Sequence, residues 1–288
     1  MKPEYRAALR AGEQLGTRYA LQIPQVAASG FTGSRAGRRA GSSIDFQDYR
    51  EYQPGDDLRF IDWGIYARND RLTIKLFREE VTPHLDLIVD GSRSMGLADT
   101  AKGPALAQLA ATLATAAANA QCTHSVWLGG EGFNRLPNDH LVPSAWDRLT
   151  LDGARTPEQA FAIMPPQCRR LAVRVFISDL LWPGDPVPLL RRLREGAAAL
   201  FVVQLLARED VTPPEHGNLR VVDSETGEEN EIYIDATLAR QYSDNLARLQ
   251  QTWDDASRQC GAPMTTLIAE DLATSLKELE AVQLLVPA

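Results

Sequence analysis

From residue 84 onward, apolar and polar positions repeat in a fixed order. A short apolar run is followed by a stretch with apolar residues every third or fourth position, and then by another apolar run. "HLDLIVD" (84–90) reads as a buried strand, and "KGPALAQLAATLATAAANAQ" (102–121) as a helix with Pro104 in its first turn and Leu106, Leu109, Ala110, Leu113 and Ala117 on one face. "THSVWLGG" (123–130) is a second strand, and "TPEQAFAIM" (156–164) a helix that Thr156 caps. "RLAVRVFISD" (170–179) is a strand, "PVPLLRRLREG" (186–196) a helix and "AAALFVVQLLA" (197–207) an apolar strand. Continuous apolar strands alternating with helices predict an α/β fold, a mostly parallel sheet with helices on both faces. "LRVVDSETGEENEIYID" (219–235) reads as a hairpin, followed by a long helix, the short strand "MTTLIA" and a last helix, "LATSLKELEAVQ".

Residues 1–83 do not alternate in this way. A short helix leads into Gly/Ser/Arg-rich "SGFTGSRAGRRAGSS" and then "IDFQDYREYQPGDDLRFIDWGIYARNDRLTIKLFREE", in which "RLTIKLFRE" is strand-like and "QPGDD" is a turn with Pro and Gly at its centre. Residues 1–83 carry 13 Lys and Arg against 11 Asp and Glu, while 84–288 carry 17 against 27. Pattern and charge thus change together, which predicts a small N-terminal β-rich appendage (1–83) and a main α/β domain (84–288).

The formal charge of -8 argues against non-specific nucleic-acid binding, which needs a basic surface to release counterions. Cys122, Cys168 and Cys260 are few, odd in number and widely spaced, as in a reducing compartment. The N-terminus lacks the apolar stretch of a signal peptide, and no run approaches the ~20 apolar residues of a membrane span. A soluble, cytoplasmic protein is expected. No phosphate-binding Gly-rich loop with Lys and no Gly-x-Ser-x-Gly elbow occurs, and no His base accompanies a serine by motif, so no enzyme activity is expected.

The chemistry gathers at "DGSRSMG" (90–96), which follows the first strand. Asp90, Ser92 and Ser94 suit a turn or cap, a nucleophile, or part of a metal site. In an open parallel sheet, ligands bind beyond the carboxyl ends of the strands, where Asp179 of "VFISD" also falls. Thr156 of "GARTP" opens a helix between them, with Asp152 as a nearby rival oxygen donor. Asp90, Ser92, Ser94, Thr156 and Asp179 offer only oxygen, a set suited to Mg2+ or Mn2+ rather than zinc.

Asp-x-Ser-x-Ser after a core strand, a later Thr and "ISD" resemble the metal-ion-dependent adhesion site (MIDAS) of von Willebrand factor A domains. "DYREYQPGDDLRFIDW", then "AR" and "DGSRSM", is similar to the bacterial domain-of-unknown-function fifty-eight family, whose members are often encoded beside MoxR-type AAA+ ATPases. The resemblance runs from about Gly30 to the C-terminus. It implies that Asp90, Ser92, Ser94 and Thr156 touch the metal directly or through water, with Asp179 the second acid. It also implies an adaptor for a MoxR-type ATPase that remodels or matures client proteins. The residues alone leave two other readings open, a Mg2+-dependent phosphoester hydrolase and a structural scaffold.

In the "PGDD…IDW" segment, Asp56, Asp57 and Asp62 read either as a second acidic site or ATPase contact, or as a structural network. In the latter, Asp56 or Asp57 pairs with Arg50, Arg59 or Arg68, and Trp63 packs the segment onto the main sheet. Leu181 and Trp182 beside Asp179 are candidates for a partner-binding rim. Arg35, Arg38 and Arg39 read as a solvated loop, and His84, His124, His140 and His216 have no ligand spacing.

Overall fold

A computed structural model describes residues 1–24, 44–79, 82–98, 100–212, 217–222 and 229–288. In chain order the elements begin with helix α1 (Pro3–Gly16) and strands β1 (Tyr19–Leu21) and β2 (Ile44–Glu51), then α2 (Trp63–Asn69), β3 (Thr73–Glu79) and β4 (His84–Val89). Next come α3 (Lys102–Asn119), β5 (Thr123–Gly129), β6 (Phe133–Arg135), α4 (Pro157–Ile163), β7 (Val173–Ser178), α5 (Val187–Arg194), β8 (Ala199–Leu206) and the short α6 (Arg208–Val211). The chain closes with β9 (Gly217–Val222), β10 (Glu229–Ile234), α7 (Ala236–Cys260), β11 (Met264–Ile268), α8 (Leu272–Ser275), α9 (Lys277–Ala281) and β12 (Leu285–Pro287).

The chain divides into two compact units, Met1–Pro24 with Pro83–Ala288, and Gln25–Thr82. The larger unit is built on a six-stranded sheet of order β11-β8-β7-β4-β5-β6. Every neighbouring pair is parallel except β5–β6, where the short edge strand runs antiparallel. Both faces are covered, because the strands alternate two sets of apolar side chains. Leu85, Leu87, Val89, Val173, Val175 and Ile177 pack towards α1 and α3, while Ile88, Phe176, Leu200 and Val202 pack with Leu189 and Leu190 of α5 and Trp253 of α7. This is the mixed α/β architecture expected of a von Willebrand factor A-like chain. The β9–β10 hairpin is antiparallel, and its turn lies outside the described residues, as do Arg35, Arg38, Arg39 and His216.

The first residues differ from expectation. Helix α1 belongs to the larger unit, and β1 pairs with β12, so the chain's two ends close one face of the domain rather than forming an appendage. The cause is a close helix–helix contact made by small residues. A Cβ on Gly12 would meet the Gln108 carbonyl oxygen at 2.3 Å and the Ala111 Cβ at 2.7 Å. The Thr112 hydroxyl donates to the Gly12 carbonyl (3.2 Å), and Asn119 Nδ2 donates to the Gly16 (3.1 Å) and Tyr19 (2.7 Å) carbonyls. The single expected C-terminal helix is instead two short ones, α8 and α9.

In the smaller unit β2 and β3 form an antiparallel pair with a register shift between Phe46 and Asp48. The "QPGDD" stretch closes a turn in which Asp56 N–H donates to the Gln53 carbonyl (3.0 Å) and Gly55 takes φ of 105°.

Gly12→Ala tests the α1–α3 contact with an unusual sign. Alanine is favoured over glycine in a helix by about 1 kcal/mol. Here the added methyl drives into the backbone of α3, so urea unfolding should show a net loss of roughly 1–3 kcal/mol. A gain in stability would contradict the close approach.

Candidate functional site

Adjacent strands β4 and β7 leave the sheet at their carboxyl ends, at the point where the strand order switches direction, and this places Asp90 beside Asp179. Asp90 N–H donates to the Ile177 carbonyl (2.9 Å), which fixes the backbone as β4 ends. Gly91 follows because the chain there presses on the end of β5: an added Cβ would lie 2.0 Å from the Gly129 carbonyl oxygen. The Asp90 carboxylate then organises its own loop. One oxygen accepts the Ser92 N–H (2.9 Å), an Asx turn, and the other accepts the Ser178 hydroxyl (2.6 Å). The Ser92 and Ser94 hydroxyls lie 3.0 Å apart.

The loop before α4 is pinned to this turn. Ser92 and Gly153 form a parallel bridge, with Arg93 N–H donating to the Gly153 carbonyl and Gly153 N–H to the Gly91 carbonyl, both at 2.9 Å. Thr156, further along that loop, caps α4: its hydroxyl accepts the Gln159 N–H (3.4 Å), and Gln159 Oε1 accepts the Thr156 N–H (3.2 Å). Its capping role is therefore visible, and its loop adjoins the serine turn. Asp152 on the same loop is exposed.

Asp90, Ser92, Ser178 and Asp179 are all buried, and so is a residue that sequence reasoning missed, Lys102. Its ammonium lies 3.2 Å from Asp179 Oδ2 and 3.1 Å from Asp210 Oδ2. Asp179 Oδ1 accepts the Leu181 N–H (3.2 Å), while its main-chain carbonyl accepts Gln204 Nε2 (3.0 Å). Burial first, and the neighbouring Asp179 second, push the Asp90 carboxyl up to about 7, against the hydrogen bonds from Ser178 and Ser92 that favour its charged form. Burial works against the Lys102 ammonium, but Asp179 and Asp210 outweigh it and hold Lys102 above its ordinary value. The signal for Lys102 was present in sequence. It stands at the first position of α3, where the helix dipole disfavours a cation, so a partner had to be supplied from elsewhere.

The arrangement fits a hard divalent cation. Its donors are carboxylate and hydroxyl oxygens, Asp90 meets no cationic side chain within its hydrogen-bond shell among the described residues, and the one ammonium nearby is shared by Asp179 and Asp210. Among the described residues no group of three or more His, Cys, Asp or Glu side chains is arranged to hold a metal, so any shell at this edge would have to draw on the Ser92 and Ser94 hydroxyls.

The expected partner rim changes. Trp182 is buried, edge-on to Trp253 at 5.1 Å and Phe176 at 6.5 Å, because an indole next to the sheet end gains more by filling the α5–α7 core than by facing water. Only Leu181, half-buried, remains at the edge.

In the smaller unit the carboxylates of the "PGDD…IDW" segment are each engaged. Arg50 holds Asp56 with two bonds of 2.7 and 2.6 Å, and Arg59 pairs with Asp57, holding that carboxyl down to about 2. Asp62 caps α2 through the Gly64 (2.8 Å) and Ile65 (3.1 Å) N–H groups and meets Lys75 at 3.2 Å. Of the three candidate arginines, Arg50 and Arg59 make these pairs. Arg68 donates to the Gly64 carbonyl (2.9 Å) of its own helix instead of pairing with Asp56 or Asp57. Trp63 is 60% exposed and edge-on to Tyr66.

A family described as "Protein of unknown function DUF58" matches residues 48–252. The chain belongs to the DUF58 family. Relatives include the uncharacterized protein Rv1480 of Mycobacterium tuberculosis, 28% identical over 290 residues that cover 92% of this chain and 85% of the relative. An uncharacterized protein of Mycobacterium avium is 32% identical over 119 residues, 41% of this chain and 63% of the relative. Among solved structures, a von Willebrand factor type A protein from Catenulispora acidiphila aligns with TM-score 0.35 and 14% identity over 74% of this chain and 45% of that one. The conserved hypothetical protein BatB from Bacteroides thetaiotaomicron aligns with TM-score 0.33 and 12% identity over 69% of this chain and all of that one. The fold of this DUF58 chain is defined by its strand order and directions. No described helix is long and apolar enough to cross a membrane.

The raised Asp90 carboxyl gives a pH prediction for protein held in chelator. An acid whose folded value lies above its unfolded value of 3.8 stabilises the fold at low pH, and that contribution is lost as pH rises towards 7. Asp90→Asn, with the Ser178 hydroxyl turned round, removes the penalty. Its stability should equal or trail wild type near pH 4 and exceed it above pH 7 by roughly 2–4 kcal/mol. Parallel denaturation curves across that range would contradict the assignment.

Proposed function

We propose that this chain is a non-enzymatic protein-interaction module whose sheet edge holds Mg2+ or Mn2+ and presents it to an acidic residue of a partner. Asp90, Ser92, Ser94 and Asp179 would hold the ion, with Thr156 contributing from the adjoining loop directly or through water. The observation that carries this reading is the Asp90 carboxylate, buried beside a second acid and met, among the described residues, by hydroxyl and amide donors alone. A buried charge in that state calls for a cation, since leaving it unpaired is costly.

When bound, a divalent ion supplies an open coordination position for an outside carboxylate. The protein's own residues supply rigidity. Ser178 and the Ser92 amide orient Asp90, the Gly153 bridge fixes the serine turn, and Gln204 fixes the backbone of Asp179. The non-enzymatic reading is supported by the donors around the two acids. Lys102 is committed to two carboxylates, and with an ion bound Asp90 and Asp179 would serve as its ligands rather than as proton acceptors. By family resemblance the partner is a MoxR-type AAA+ ATPase, and the module acts as its adaptor in remodelling or maturing client proteins.

The test is binding of a purified MoxR-type ATPase from the same organism, with Mg2+ and with EDTA, to wild type and Asp90→Ala. Wild type in Mg2+ should bind, and chelation or the substitution should weaken binding at least about tenfold, the loss of one charge-assisted contact of ~1.4 kcal/mol or more. Equal binding in all four conditions would rule out the metal bridge.

A further inference from the structure

Lys102 stands where a lysine is least expected, buried and at the first position of an 18-residue helix. An ammonium removed from water at the positive end of a helix dipole is doubly disfavoured, so its two carboxylate partners must be held firmly in place. Both are. Asp179 is anchored through Leu181 N–H and Gln204. Asp210 accepts the Ala207 N–H (2.8 Å) at the start of α6, and its carbonyl accepts the Tyr242 hydroxyl (2.6 Å) from α7. The lysine is thus a fixed positive charge on one side of Asp179, with Asp90 its neighbouring acid.

The charges then count in a particular way. With every carboxyl ionised, as each would be around a bound ion, Asp90, Asp179 and Asp210 bring three negative charges and Lys102 one positive, which leaves two, matching one divalent cation. With Lys102 in place, an occupied site is neutral, and an arriving carboxylate meets no net repulsion. Without it the occupied site keeps a negative charge that favours the metal and opposes an acidic partner.

We propose that Lys102 is a positioning residue that weakens the grip of the site on its cation and leaves the bound ion receptive to an outside carboxylate, with Asp210 holding the ammonium partly away from Asp179. This inference rests on the metal-bridge reading and adds the control of its affinity.

Opposite substitutions separate it from a purely structural role. Lys102→Met keeps the unbranched side chain to within one atom of its length and removes its charge; Asp210→Asn removes the second anchor, so that the ammonium leans on Asp179 alone. Both should lower the melting temperature in chelator. In calorimetric titration with Mn2+, however, Lys102→Met should bind tighter and Asp210→Asn weaker than wild type, each on the order of tenfold for one unit charge close to the ion. A merely structural lysine would shift both affinities in the same direction or neither. Mn2+ binding by wild type with no tightening in Lys102→Met overturns this proposal and leaves the metal bridge standing. Absence of binding in all three proteins overturns both. If Lys102→Met does not fold, Asp210→Asn decides alone: weaker binding supports the proposal, and unchanged binding overturns it.

Discussion

Two carboxylates buried side by side at the end of a parallel sheet are the constraint around which the rest of this molecule is arranged. Burial and mutual repulsion oppose their charged forms, and Asp90 shows the effect most clearly. Each nearby feature answers that strain. Ser178 and the Ser92 amide serve Asp90, while Lys102 reaches in from α3 and is shared with Asp210. The parallel sheet makes the meeting unavoidable, since β4 and β7 are neighbours in register from Leu85 with Val173 to Val89 with Ile177.

Much of this was legible along the chain because the signals are local. The strand and helix periods from 84 to 207 follow from spacing alone, and the Asp-x-Ser-x-Ser turn and the Thr156 cap are written in adjacent residues. What escaped is long-range. Nothing near Lys102 in sequence announces Asp179 or Asp210; only its conflict with the helix dipole does. Residues 1–24 look separate from the main domain because β1 and β12 are three residues each, too short for a period, and because the glycines of α1 reveal their purpose only against α3. Trp182 follows Asp179 closely enough to suggest a rim, yet its packing partner Trp253 comes from a helix much later in the chain.

The smaller unit obeys a different logic. Three of its acids are partnered within their own segment, Asp56 by Arg50, Asp57 by Arg59, and Asp62 by the first turn of α2. These short, charge-assisted bonds shape the turns of "PGDD…IDW", while Leu58, Trp63 and Tyr66 are left exposed. Pairing of this kind gives Asp56, Asp57 and Asp62 charged partners, in contrast to Asp90 of the larger unit. The difference is why the ion-binding reading belongs to "DGSRSMG".

The most direct measurement is a crystal structure grown with Mn2+, with the ion located by its anomalous scattering. The account predicts one strong peak in direct coordination with Asp90 and the Ser92 and Ser94 hydroxyls, with Asp179 bonded directly or through water and Lys102 still on Asp210. No peak at this edge, with Asp90 still bonded only to Ser92 and Ser178, would contradict it.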